Sequence, residues 1–193
     1  MRRTLFLILL FFTTSDLFAN VRCTLNDLDK NVKRFFPAST SYGITHKTVK
    51  DTHLIENMLH DKFAGLYEKS NTPYTIYTVY EDKKVIGYIH GVNQKGRYGK
   101  LQVFLALDMK GKIVNFYYQE LASKGDENNV LKSKEFADQF IGLTLKDFIK
   151  YDPIDHTHIP SPIENIATKD FYATLRAVKK NLIIVDLLLF KKM

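Results

Sequence analysis

The sequence lacks the short motifs that mark most nucleotide-binding and hydrolytic enzymes. It contains no Gly-x-Gly-x-x-Gly, no phosphate-binding glycine loop, no nucleophile elbow and no His-Glu-x-x-His zinc motif. It has a single cysteine, Cys23, so no disulfide can form within the chain. These absences argue against a hydrolase or another cofactor-free enzyme, and they leave no evident catalytic constellation.

The sequence also lacks an apolar run of the roughly 20 residues that cross a bilayer as a helix. The apolar run Leu5–Phe12 is shorter, and it follows Arg2 and Arg3. A basic start, a short apolar stretch and a small residue at Ala19 predict a secretory signal over residues 1–19, or alternatively an uncleaved anchor. We therefore expect an exported chain, periplasmic or membrane-associated on the periplasmic side.

The charge balance is basic, at +7, and 26 basic against 20 acidic side chains remain beyond residue 19. Because the lysines are scattered and form no long block, the excess predicts a solvated surface. The segment Asn93–Lys100 combines two glycines and three basic residues with Tyr98. We expect it to connect two strands or to face a cofactor, and we expect no nucleic-acid partner for an exported chain.

The hydrophobic pattern changes period along the chain. A hydroxyl at Thr24 predicts a helix that ends before Pro37, and a second helix is predicted over about 51–66. Alternating apolar residues joined by short polar turns then predict strands; these cover 74–80, 85–90, 101–107 and 112–120.

Helices return after the strands. Ser133 predicts a helix start and Gly142 its end, a short helix follows within 143–151, and the proline-rich stretch 152–162 predicts a loop. The last helix is predicted over about 169–190. The fold class is therefore α+β: an antiparallel sheet of about four or more strands with flanking helices and a long C-terminal helix. We expect a helical segment over 20–70 packed on an α+β domain over 71–193.

The loop contains His156 and His158, with Asp152 and Asp155 nearby. Two imidazoles and a carboxylate could in principle bind a metal ion. This spacing arises often by chance and the loop has no cysteine, so we predict no metal site.

From Val85 to Gly142 the sequence contains, in order, a glycine-bearing loop, a hydrophobic strand and a turn with the pattern Asp-x-x-Gly-Lys-Ile. A strand closing on Glu120 and a helix with Gln139-Phe140 and Gly142 follow. This order resembles the FMN-binding domain of the flavin-carrying subunits of ion-pumping electron-transport complexes and of related exported proteins. The resemblance covers about residues 74–185, and it implies a periplasmic domain that holds one FMN.

In several members of that family the flavin phosphate is esterified to the Thr of a Ser-Gly-Ala-Thr motif at the start of the last helix. Free N–H groups and the helix dipole attract a phosphate there. Alignment of the helix through Arg176 puts Lys169, Asp170, Phe171 and Tyr172 at that motif, with no Gly and with Tyr172 at the attachment position. We therefore expect FMN to be bound non-covalently.

The resemblance indicates eight candidate cofactor-binding residues, of which Tyr172, at the attachment position, is one. Lys169 and Arg176 are candidate charge partners for the phosphate, although Arg176 could equally lie on a solvated helix face. Thr168 or Thr174 are candidate hydroxyl donors. On the ring side the family's Thr-Pro-Gly-Leu-Gly type loop is replaced by a segment that keeps one glycine. The ring-side candidates are Glu120, Lys124 and Gly125.

Two functional hypotheses remain open at this point. The first is a flavin-binding electron carrier at the periplasmic face, with a membrane redox partner. In that case the cofactor would supply the chemistry and the protein its position and electrostatics. The second is a flavin-free binding or structural module that keeps the fold, and it is motivated by the missing attachment motif.

Overall fold

The computed structural model describes residues 23–50, 52–59, 73–122, 124 and 126–190. It confirms the α+β class: one five-stranded antiparallel sheet carries helices on both faces. The strands are β1 (Ser41–Lys47), β2 (Tyr74–Glu81), β3 (Lys84–Lys95), β4 (Lys100–Leu107) and β5 (Ile113–Leu121). Their order in the sheet is their order in the chain, so β2 to β5 form a meander of hairpins.

The four predicted strands are therefore confirmed, and β1 is an addition. β1 pairs with β2 along its whole length, from Ser41 opposite Tyr80 to Lys47 opposite Tyr74. The predicted helical segment 20–70 thus also contributes a strand to the sheet. Most of β1 is exposed, as befits the edge position, and Ile44 is 45% exposed.

Two of the described helices precede the meander, and the others follow it. The helices are α1 (Leu28–Phe35), α2 (Thr52–Leu59), α3 (Asp126–Leu131), α4 (Lys134–Asp138), α5 (Leu145–Phe148) and α6 (Lys169–Val185). A π-helical turn, Asp186–Phe190, continues α6 and completes the predicted C-terminal helix. Among the residues that the structure describes, no helix is both long and apolar enough to cross a membrane.

The sheet separates two hydrophobic cores, because successive side chains of a strand point to opposite faces. On β4, Val103 and Leu105 face α6, whereas Phe104 and Ala106 face α1. The larger core lies under α6, where every residue from 174 to 186 is buried. The smaller core is closed by α1 and by the segment that precedes it.

That segment corrects the predicted start of the first helix. α1 begins at Leu28 and not at Thr24, because residues 24–26 are held by the sheet. The backbone N–H of Leu25 donates to the Tyr77 hydroxyl at 2.8 Å, and the carbonyl of Thr24 accepts from the Gln119 side chain at 2.8 Å. Hydrogen bonds to distant residues thus replace the expected helical cap.

The residues that predicted the start and the end of the first helical stretch after the sheet, Ser133 and Gly142, are confirmed in these roles. The Ser133 hydroxyl accepts from the N–H of Phe136 at 3.0 Å and caps α4. Gly142 has φ +90°, a conformation that residues with a Cβ rarely adopt, and it ends this helical stretch. Residues 152–162 form no helix or strand. The predicted signal over 1–19 and the second half of the helix predicted over 51–66 lie outside the described residues.

Candidate cofactor site at the start of helix α6

The start of α6 is formed by two polar side chains and by one residue whose backbone adopts the left-handed conformation. Thr168 is the N-cap, and its hydroxyl accepts from the N–H of Phe171 at 3.2 Å. Before it, Ala167 has φ +57°, and its N–H donates to the side-chain oxygen of Asn165 at 2.8 Å. Lys169 opens the helix and is exposed. A hydroxyl, a cation and the N–H groups of a first turn therefore meet here.

The structure confirms the predicted start of the last helix: Lys169 is its first residue, and Lys169 to Tyr172 form its first turn. Thr168 precedes them as the N-cap. Phe171 is fully buried in the main core, and Tyr172 stacks on His156 with ring centroids 3.7 Å apart. Tyr172 therefore lies in the first turn of the helix, where the alignment with the Ser-Gly-Ala-Thr motif puts it.

Two other predicted phosphate ligands, Thr174 and Arg176, are buried inside the protein. The hydroxyl of Thr174 is fully buried, donates to the carbonyl of Asp170 at 2.7 Å and lies 2.5 Å from the Tyr118 hydroxyl. Burial raises the pKa of Tyr118, so this phenol stays protonated. Arg176 is 9% exposed and makes contacts of its own within the protein. These two side chains support the fold of α6 from inside, and Arg176 does not lie on a solvated face.

The ring-side candidates lie around the end of β5 and the neighbouring hairpin. Glu120 pairs with Lys100 at 2.6 Å, and both side chains are partly exposed. The ammonium of Lys124 lies 5.7 Å from the centroid of the Tyr98 ring, within the range of a cation–π contact. Gly125 lies outside the described residues. Glu120 and Lys124 thus lie beside the loop that connects β3 and β4.

The β3–β4 hairpin (Gly96–Gly99) joins the two halves of the candidate site. The N–H of Arg97 donates to the carboxylate Oδ1 of Asp170 in the first turn of α6, at 2.6 Å. On the other side, a Cβ built on Gly99 would lie 2.9 Å from the Cβ of Ala122, just beyond β5. The hairpin therefore touches both the helix start and the strand end. The sequence did not reveal this contact, and its only signal was the pair of glycines around Arg97.

Asp170 is the residue that sequence analysis missed as a polar component of this region. Its side chain is fully buried, and its Oδ2 has no hydrogen-bond partner within the part of the chain that the structure describes. A buried carboxylate oxygen of this kind usually accepts a hydrogen bond. An FMN fits this requirement in one respect, because its ribityl hydroxyls and its ring N–H are donors. It conflicts in another, because a phosphate near the same carboxylate would be repelled.

The loop 152–162, which contains the two histidines considered for a metal site, is held by the stacking of one of them on α6. His156 packs flat against Tyr172, with 1° between the ring planes, and the Tyr172 hydroxyl donates to Asn165 at 3.3 Å. Within the described ranges no three His, Cys, Asp or Glu side chains gather in a way that could hold a metal ion. The loop thus packs against the first turn of α6 and shapes one side of the candidate site.

Comparison with known proteins adds no assignment. No protein-family model matches the chain, and no curated protein matches its sequence. The resemblance to FMN-binding domains therefore rests on the motif order in the sequence alone.

Proposed function

We propose that this chain binds FMN non-covalently and carries electrons as an exported protein at the periplasmic face. The observation that supports the proposal is the convergence at the start of α6. A hydroxyl-capped first turn with an exposed lysine lies in contact with the hairpin that also reaches the end of β5. The phosphate-side and ring-side candidates consequently belong to one region of the surface.

In this proposal Thr168 and Lys169 bind the phosphate, with help from the free N–H groups of the first turn. Lys124 lies on the ring side, where a cation would favour the reduced, anionic flavin. Bound FMN supplies one- and two-electron transfer. Glu120 and its partner Lys100 hold the strand end in place, and a membrane protein is the expected redox partner.

A flavin-free binding or structural module is the second candidate, and Asp170 favours it. The Asp170 carboxylate already occupies the side of the first turn that faces the hairpin, and Thr168 already accepts from the N–H of Phe171. One donor of the first turn, the N–H of Phe171, is therefore satisfied within the protein, and the Asp170 carboxylate disfavours a phosphate beside it. The two candidates differ in one measurable property, the presence of flavin.

The test is the visible spectrum of the purified protein from a flavin-replete host, before and after denaturation. Non-covalent FMN predicts flavin absorption that leaves the protein on unfolding and returns when FMN is added to refolded protein. A colourless protein that also fails to bind added FMN would exclude the proposal and support the flavin-free module. Colour that stays with the unfolded chain would show covalent attachment instead.

Variants at the helix start make the test specific. Thr168→Ala and Lys169→Gln should each weaken FMN binding, because each removes one polar contact to the phosphate; we expect about tenfold for a charge-assisted bond. Thr168→Ser should retain binding, since the hydroxyl is kept. Lys83→Gln is the matched control, because Lys83 is exposed in the β2–β3 turn at the other end of β3. Equal affinity in all four proteins would place the flavin elsewhere.

A further inference from the structure

A second candidate site lies at the opposite end of α6, away from the proposed flavin site. There the helix, the β4–β5 turn and α5 border a cavity of about 460 Å³ that is partly open to solvent. This volume falls in the range of about 300–1,000 Å³ that is typical of small-molecule sites. The apolar lining comes from Leu107, Leu145, Ile149, Leu182, Val185 and Phe190.

One wall of the cavity is formed by the π-helical turn, Asp186–Phe190. A π-helical turn is rare and often occurs at functional sites. Its last side chain, Phe190, packs edge-to-face on Tyr88 with centroids 5.8 Å apart. The same ring lies over Gly111, where an added Cβ would be 3.2 Å from it. Phe190 is thus held against the β4–β5 turn, and its partly exposed ring borders the cavity.

The polar part of the lining carries a net positive charge. It contains two lysines, Lys110 and Lys146, and one acid, Asp186, which is nearly buried and makes its own contact within the protein. Thr144 also lines the cavity, but its hydroxyl donates to the Asp147 carboxylate in a capping box at 2.8 Å. Because the Asp147 carboxylate is bound in this cap, it is held at the start of α5. The cavity therefore suits an apolar ligand with one negative charge.

We propose that this cavity binds an aliphatic carboxylate, that is, a free fatty acid of medium chain length. The chain lies between α6, α5 and the β4–β5 turn, and the carboxylate lies at the lysine side of the rim. The chemistry of the lining selects this class, since its walls are aliphatic and aromatic and its ionisable groups sum to +1. The proposal does not depend on flavin binding.

The first experiment is calorimetric titration of the purified protein with saturated fatty acids of increasing length, each below its micelle concentration. Each added methylene should tighten binding by about three- to fourfold while the chain still fits. Affinity should then level off when the cavity is full. An absence of saturable binding, or a steady increase with length and no plateau, would overturn the proposal, because surface adsorption has no size limit.

Two pairs of variants locate the site. Ile149→Trp places a bulky ring at the rim, where Ile149 is 53% exposed, and should weaken binding at least about tenfold. Ile154→Trp is the control, because Ile154 is equally exposed, at 56%, and does not line the cavity. Lys146→Gln should weaken the carboxylate about threefold and leave the alcohol of the same length unchanged. Lys112→Gln should change neither, since Lys112 is exposed outside the lining.

Three results would contradict the assignment. The first is equal weakening by Ile149→Trp and Ile154→Trp, which would indicate a nonspecific effect. The second is equal binding of carboxylate and alcohol to the unmodified protein, which would remove the role of the lysines. The third is association with anionic phospholipid vesicles without binding of monomeric fatty acid, which would make this end of the protein a membrane-docking surface and not a ligand cavity.

Discussion

Replacement of Gly96 by alanine tests the contact between the β3–β4 hairpin and α6. A Cβ on Gly96 would lie 2.5 Å from Asp170 Oδ1 and 2.6 Å from Leu101 Cδ1. Both distances are far below van der Waals contact. Asp170 is fully buried, and its Oδ1 also accepts from the N–H of Arg97. The carboxylate therefore cannot move aside without loss of that hydrogen bond.

The expected cost of Gly96→Ala combines two effects. Insertion of a methyl group into a packed site costs about 1–3 kcal/mol. Loss of a hydrogen bond to a charged acceptor adds about 1.5–3 kcal/mol if the hairpin moves away. We therefore expect the free energy of unfolding to fall by about 2.5–4 kcal/mol, the lower part of the combined range, because the hairpin can relax in part. Equilibrium urea unfolding, followed by circular dichroism, measures this change.

Gly43→Ala is the matched control. Gly43 lies in the edge strand β1, and a Cβ there would be 3.7 Å from the Tyr80 ring, an ordinary contact. This variant should change stability by less than about 1 kcal/mol. If Gly96→Ala were as stable as Gly43→Ala, the hairpin would not be packed on Asp170 and the candidate cofactor site would lose the link between its two halves.

Two further predictions concern the buried polar groups under α6. Burial lowers the pKa of His90 to about 4, so between pH 6.5 and 4 the unfolded chain binds more protons than the folded one. His90 should therefore make the protein about 2–3 kcal/mol less stable at pH 4.5 than at pH 7. Urea unfolding should show that the His90→Gln variant lacks this loss of stability. The His53→Gln variant, at an exposed position, should retain it. Asn181→Leu should cost about 2–4 kcal/mol, because the amide donates to the carbonyls of His90 and Val103 at 3.0 and 3.4 Å. The same change at the exposed Asn129 should cost almost nothing in the same assay, and equal effects would refute the role of these bonds.

The predictability of each strand from the sequence follows from its burial. β2 to β5 have buried faces, and β4 is buried on both, so these strands appear as short runs rich in apolar and aromatic residues. The turns between them stand out as polar interruptions. β1 has the burial pattern of an edge strand: most of its side chains are exposed, and only Ile44 is a large aliphatic residue. Its place in the sheet is fixed by backbone pairing with β2, which leaves little trace in side-chain composition.

The helix ends and the candidate site differ in the same way, according to whether the residues that determine them are near or far apart in the sequence. Ser133 and Gly142 act within one helical turn, so their roles could be predicted from neighbouring residues. The partner of Arg97 is 73 residues away in α6, and no sequence pattern connects the two. Likewise, Thr174 and Arg176 were expected at the helix start because their chemistry suits a phosphate, but helical geometry turns them towards the interior.

The burial of α6 has a consequence for biosynthesis. The helix covers one face of β3 and β4, strands that precede it by more than 60 residues, and its own side chains are enclosed from Thr174 to Val185. In a chain truncated before residue 169, that face of the meander has no partner and presents a broad apolar surface to solvent. Such truncated chains should therefore aggregate, which makes an early stop codon far more damaging than most single substitutions.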